Sequence, residues 1–134
     1  MLRLSRSAYM EMLGHAYDCL PEEACGLLAG DPAQRNAPVF YPCRNEARSA
    51  RVYTVDPRDH LRADRHAESR GMELLGVMHS HTHTAAYPSP TDVEQAPDPA
   101  WSYVIVSLAE PEPVLRSFRI VDGEISEEPV AVEG

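Results

Sequence analysis

Three histidines alternate in the stretch HSHTHTAAYPSPTD, residues 79–92, and an aspartate closes it. On a β-strand, residues two apart share a face. His79 and His81, at the end of the apolar run ELLGVMHSH, therefore point the same way, within reach of one ion. A lone His-x-His pair is a weak signal, because two polar residues at a strand end have the same spacing. After ten further residues comes Asp92, behind a segment rich in Ala, Pro and Ser that can fold back and deliver a carboxylate to the same point. Two neutral imidazoles and one carboxylate leave a dication with net positive charge and an open fourth position. That is the composition of a catalytic rather than a structural zinc site.

Two neighbours have more than one reading. "SPTD" is also a helix start, with Ser89 as cap, Pro90 at the first position and Asp92 at the third, where a carboxylate can answer the cap. The two readings are compatible, since a helix beginning at Ser89 would fix Asp92 near the ion. If the strand ran on to residue 83, His79, His81 and His83 would form a three-histidine site with Asp92 behind it. "THTAAYPSP" has loop composition, however, and places His83 on the rim of the site.

The surrounding pattern shows which elements must hold these residues. Leu13, Ala16, Tyr17 and Leu20 recur at helical spacing, predicting a helix from about Ser7 to Cys19 that stops before Pro21. Gly14 within it costs about 1 kcal/mol against alanine. "EACGLLAG" reads as a short buried strand closed by Gly30-Asp31-Pro32, and "VFYPC" and "RVYTV" as two more. In "DPRDHLRADRHAESRG", Asp56 caps, Pro57 fits the first helical position and Gly71 ends a surface helix with little apolar content. "WSYVIVSL" and "PVLRSFRIVDGEI" are strands, the second turning at Asp122-Gly123 as a hairpin, and "PVAV" adds a short last one. The expectation is one mixed α/β domain over residues 1–134, its sheet largely hairpin-linked, with two main helices.

Composition narrows the function classes. The chain has 134 residues, 43% hydrophobic and 25% charged, and can bury a core without staples. A formal net charge of −9 argues against binding to nucleic acid or to an anionic membrane surface. Cys19, Cys25 and Cys43 are odd in number and lack a C-x-x-C pair, so neither a disulfide framework nor a sulfur-rich zinc site is expected. With no signal region and no membrane-spanning run, the protein reads as cytoplasmic.

Assembled, His79-Ser80-His81, seven residues, Ser89, two residues and Asp92 resemble the JAMM/MPN+ motif of zinc-dependent isopeptidases. That motif carries a glutamate upstream, ahead of a "GLL" strand. Here "PEEACGLLAG" supplies it, and Glu23, in Glu-x-x-Gly spacing, matches where Glu22 does not. The likeness spans residues 21–108. It implies the MPN (JAMM) fold, a curved mixed sheet flanked by helices with a cytidine-deaminase-like architecture. It also implies one Zn²⁺ per chain on His79, His81 and Asp92 with a catalytic water, Glu23 as general base and Ser89 as donor to the oxyanion. Ser80, facing away, orders the strand.

Within the family, the "HSHT…AYPS.TDV" run, the "RSFRIVDGEI" ending and the compact length look like the small bacterial Mec-type peptidases. These remove cysteine from the Gly-Gly end of a ubiquitin-like sulfur carrier protein. The chain has no room for the long insertions of deubiquitinating relatives, so a small carrier tail fits best. Arg44, Arg48 and Arg51 lie in or beside a polar segment between strands, and one of them could pair with the free carboxylate of the terminal cysteine, Arg48 and Arg51 being the candidates to test. His83 would stand at the entrance. Alternating strands could leave an edge for a homodimer partner or for β-addition of the carrier tail, and the pattern does not choose. The rivals are a broader isopeptidase for ubiquitin-like conjugates and a non-catalytic MPN scaffold. A zinc deaminase fails for want of a P-C-x-x-C element.

Overall fold

The computed structural model describes residues 1–134. A short strand not anticipated from the pattern, β1 (Leu2–Ser5), runs straight into helix α1 (Arg6–Asp18). Ser5 makes the change of direction, its side chain accepting from the Ala8 amide at 3.0 Å as the helix cap. The helix lies where its periodicity puts it, but its buried face differs from the expected one. Ala8, Met12 and Ala16 face the core, while Tyr17 and Leu20 are exposed. Ala8 and Ala16 let the helix approach the sheet closely with Met12 between them, and Tyr17 falls outside that stripe.

Next come β2 (Cys25–Asp31), β3 (Asn36–Cys43), α2 (Pro57–Ser69), β4 (Glu73–His81), α3 (Pro90–Glu94), β5 (Ser102–Ser107), β6 (Val114–Val121), β7 (Glu124–Glu128) and β8 (Val130–Glu133). Asp56 caps α2, accepting from the Arg58 and Asp59 amides, and only Ala63 and Ala67 of this helix are buried. Asp122 and Gly123 both have positive φ, as a two-residue hairpin turn between β6 and β7 requires. No helix is long and apolar enough to cross a membrane.

All eight strands form one sheet in the order β7-β6-β5-β4-β2-β3-β1-β8, with β4–β5, β1–β3 and β1–β8 parallel and the other pairs antiparallel. Laid flat, eight strands at a spacing of about 4.8 Å would put the edges roughly 34 Å apart. Yet the two edge strands, β7 and β8, are separated in sequence by Pro129 alone. The sheet therefore has to curl until its edges meet. Glu128, buried at this junction, accepts from Ser102 Oγ at 2.5 Å and Ser117 Oγ at 2.8 Å, and Arg35 lies 3.9 Å away.

One face of the sheet packs under α1 through Leu4, Met12, Leu28, Phe40, Met78 and Val104. The opposite face, under α2, carries Cys25, Leu27, Cys43, Tyr53, Val77 and Tyr103. Strand alternation puts His79 and His81 on the α2 face with Val77, and Ser80 on the α1 face with Met78. One expected strand is absent. Residues 51–55 make a single bridge, Asn45 with Val55, because their backbone groups are taken up by Asn45. Its Oδ1 accepts from the Thr54 amide at 3.0 Å, and its Nδ2 donates to the Val52 carbonyl at 3.0 Å.

Candidate active site

β4 ends at His81, and the chain beyond it bends rather than continuing as strand. Ser89 then caps α3 by a reciprocal pair: the Asp92 amide donates to Ser89 Oγ at 3.1 Å and the Ser89 amide donates to Asp92 Oδ2 at 2.9 Å. The cap reading of "SPTD" thus holds, and the same geometry brings Asp92 to the two histidines. His79 Nε2 and His81 Nε2 lie 3.1 and 3.0 Å from Asp92 Oδ2, and 3.1 Å from each other. All three residues are buried.

This triangle suits a cation better than hydrogen bonds. His81 Nδ1 donates to the Ala85 carbonyl at 2.8 Å, which leaves a lone pair on Nε2 of the neutral ring. Three mutually close atoms with at most two protons among them cannot satisfy three contacts, whereas one dication would satisfy all three lone pairs. Burial keeps His79 neutral by lowering its pKa. Burial also pulls His81 down, but without a cation its hydrogen bonds to Asp92 and Ala85 outweigh this and leave it raised, so a proton and a cation compete for the same Nε2. For Asp92, burial is outweighed by the two imidazoles and the Ser89 amide, and its pKa is lowered far below the usual carboxylate range.

Glu23 sits beside the triangle, just before β2. Its neighbour Ala24 is pinned to β4: the Ala24 amide donates to Ser80 Oγ at 2.7 Å and the Ser80 amide donates to the Ala24 carbonyl at 3.0 Å. Ser80 therefore orders this junction from the far face. The Glu23 amide donates to the Ser49 carbonyl at 2.8 Å, and its carbonyl accepts from Asn45 Nδ2 at 3.0 Å. Its side-chain Oε1 is buried without a hydrogen-bond partner. Burial raises its pKa to about 7, with His81 opposing and Asp92 adding to the rise.

A cleft of ≈ 500 Å³ opens over these groups, its walls including Glu23, Arg51, His81, Thr82, His83 and Ser89. The sequence-based candidates divide here. Arg51 lines the cleft, and Arg48 is not among its lining residues. Arg44 is tied to Asp59 by its amide at 2.8 Å and its guanidinium at 3.3 Å. His83 is exposed on the cleft wall, its Nδ1 2.7 Å from Thr82 Oγ1, and is not part of the His79–His81–Asp92 group. Tyr53 and Asn45 were not singled out by the sequence. Tyr53 stacks on His79, ring centroids 4.3 Å apart and planes at 15°. An aromatic in a segment read as strand carries no sign of such a role.

Comparison with known proteins then settles the lineage. Residues 5–121 match the family model described as prokaryotic homologs of the JAB domain. The chain belongs to this JAB (JAMM/MPN) family of metallopeptidases. The JAB domain is 43% identical to a CysO-cysteine peptidase of Mycobacterium tuberculosis, over 90% of this chain and 84% of that protein. It is 34% identical to a desampylase of Haloferax volcanii, over 98% of this chain and 96% of that one. Its fold matches the solution structure of protein DSY2949 from Desulfitobacterium hafniense at a TM-score of 0.91 and 40% identity, covering 99% of this chain and 93% of the other. The curved mixed sheet with flanking helices is thus the fold that the motif implied.

Proposed function

We propose that residues 1–134 form one catalytic domain, a zinc-dependent peptidase cleaving between the C-terminal glycine of a ubiquitin-like sulfur carrier protein and an added cysteine. The reaction frees cysteine and regenerates the carrier. The observation that carries this reading is one cleft holding an unpartnered buried carboxylate, Glu23, beside the His79–His81–Asp92 triangle and Ser89. The similarity to a CysO-cysteine peptidase supports the choice of substrate.

His79, His81 and Asp92 would hold the Zn²⁺. When bound there, the ion supplies Lewis acidity, polarising a carbonyl and lowering the pKa of water. Glu23 removes the proton of the attacking water as its oxygen bonds to the glycine carbonyl carbon. It returns that proton to the cysteine nitrogen as the C–N bond breaks. Burial raises the Glu23 carboxyl above the ordinary glutamate range, which favours its holding the proton between the two halves of this transfer. Ser89 has two uses that do not compete. Its oxygen accepts from the Asp92 amide, and its hydroxyl proton stays free to donate to the carbonyl oxygen as charge develops. Arg51, on the cleft wall, pairs with the carboxylate of the departing cysteine.

The similarity to a desampylase favours a second reading, a peptidase for ubiquitin-like conjugates with no preference for cysteine. Rates of release of C-terminal cysteine, alanine and isopeptide-linked lysine from one carrier separate the two. Cysteine released at least tenfold faster supports the first reading, and equal rates support the second. Loss of activity on chelation and its return with zinc is expected under both.

A further inference from the structure

The two histidines are held differently. His81 has the arrangement usual for a ring that binds metal through one nitrogen, the other nitrogen donating to a fixed acceptor, here the Ala85 carbonyl. His79 has no such anchor. Its Nδ1 is fully buried and no protein group hydrogen-bonds to it. The ring is instead covered by the Tyr53 side chain, nearly parallel at 15° and 4.3 Å between centroids. We propose that Tyr53 is a positioning residue that fixes the plane of the His79 imidazole by stacking, in place of the missing hydrogen bond.

Tyr53 is itself held from both sides. Asn45 Nδ2 donates to the carbonyl of Val52 and Asn45 Oδ1 accepts from the amide of Thr54, so the backbone before and after Tyr53 is fixed by one side chain. Tyr53 is 7% exposed, and its hydroxyl makes no hydrogen bond to the protein, so the flat face is what it contributes. The same residue lines a cavity of ≈ 290 Å³ bounded by Leu27, Val55, Val77 and Trp101. A smaller or flexible side chain at 53 would leave the His79 ring beside open space, with no other ring against which to stack. Rotation about χ2 would then carry Nε2 away from His81 and Asp92, opposed on the ring only by the 3.1 Å contact of Nε2 with Asp92, since Nδ1 has no partner to lose. An aromatic ring suffices at this position, and a branched aliphatic side chain of similar bulk does not.

The inference rests on His79, His81 and Asp92 being the zinc ligands, and the test separates the two. Zinc affinity is measured by competition with a chromophoric chelator for the wild type, Tyr53→Phe, Tyr53→Leu and His79→Ala. In parallel, the ring nitrogens of His79 are followed by NMR in the metal-free protein. Tyr53→Phe should bind zinc within about twofold of wild type, and Tyr53→Leu about 10- to 100-fold more weakly, the range for losing a group that orients a metal-bound histidine. The His79 nitrogens should show one defined tautomer in the wild type and Tyr53→Phe, and averaged shifts in Tyr53→Leu. A folded Tyr53→Leu protein with wild-type affinity and an unchanged His79 spectrum would overturn the proposal. If Tyr53→Leu does not fold, Tyr53→Met takes its place with the same expectation. If His79→Ala binds zinc as well as wild type, the ligand assignment fails, and the metal-free spectra still decide the role of Tyr53.

Discussion

Glu23 is buried, and its pKa near 7 means that the folded metal-free protein binds a proton there more tightly than the unfolded chain does. The stability this gives is present below the ordinary glutamate range and is lost as pH rises through about 7. Glu23→Gln should therefore abolish peptidase activity and yet stabilise the metal-free protein at pH 8. The gain is at most about 3 kcal/mol, at about 1.36 kcal/mol per pKa unit, and it should vanish near pH 4; denaturant titrations at the two pH values check it. On the cleft wall, Arg51→Ala should raise KM about tenfold, the loss of one charge-assisted pair of roughly 1.4 kcal/mol. Arg48→Ala should leave KM unchanged, as steady-state kinetics with the same carrier would show. Zinc content measured after His83→Ala should equal that of the wild type, since His83 stands outside the triangle.

At the scale of elements, most of the site was legible because strand alternation and helix capping are local rules. His79 and His81 share a face through the period of β4, and Ser89-Pro90 announced the turn that returns Asp92. Glu23-x-x-Gly26 was legible as spacing, and the fold gives the reason for its glycine. A Cβ at Gly26 would collide with the Phe40 ring and come within 2.5 Å of the Tyr41 carbonyl. Gly26→Ala should cost about 1–3 kcal/mol by overpacking. The segment Arg51–Val55 was not legible, because RVYTV has the β-branched and aromatic composition of a strand. What it does instead depends on one asparagine that bonds across the loop to Glu23, Val52 and Thr54. The outward turn of Tyr17 and Leu20 was hidden for a similar reason: helical period locates a stripe, but only the partner surface decides which stripe is buried. Asn45→Ala should release both Glu23 and Tyr53. A stability loss of about 1–3 kcal/mol, with a larger proportional fall in kcat than in the folded fraction, is the expected result in parallel melting and kinetic assays.

For the whole molecule, closure and catalysis are separable. The sheet's ends meet at Pro129, and Glu128 there binds serines from β5 and β6 on the side of the sheet away from the cleft. Glu128→Ala should destabilise the fold by roughly 3 kcal/mol, within the range for breaking a buried charged network. Zinc content and kcat/KM of the folded protein should be unaffected, which chemical denaturation and metal analysis would show. PVAV was legible as a short last strand, but β1 and the closure were not, since β1 and β8 are four-residue strands whose pairing is entirely non-local. The chemistry, by contrast, is drawn from residues 23–92 and is tested most directly by intact-mass analysis of a sulfur carrier ending in Gly-Gly-Cys. The carrier is incubated with zinc-loaded wild-type protein and with Glu23→Gln. Loss of one cysteine residue with the wild type alone is the expected result. An unchanged mass with zinc bound to the wild type, or equal loss with Glu23→Gln, would contradict it.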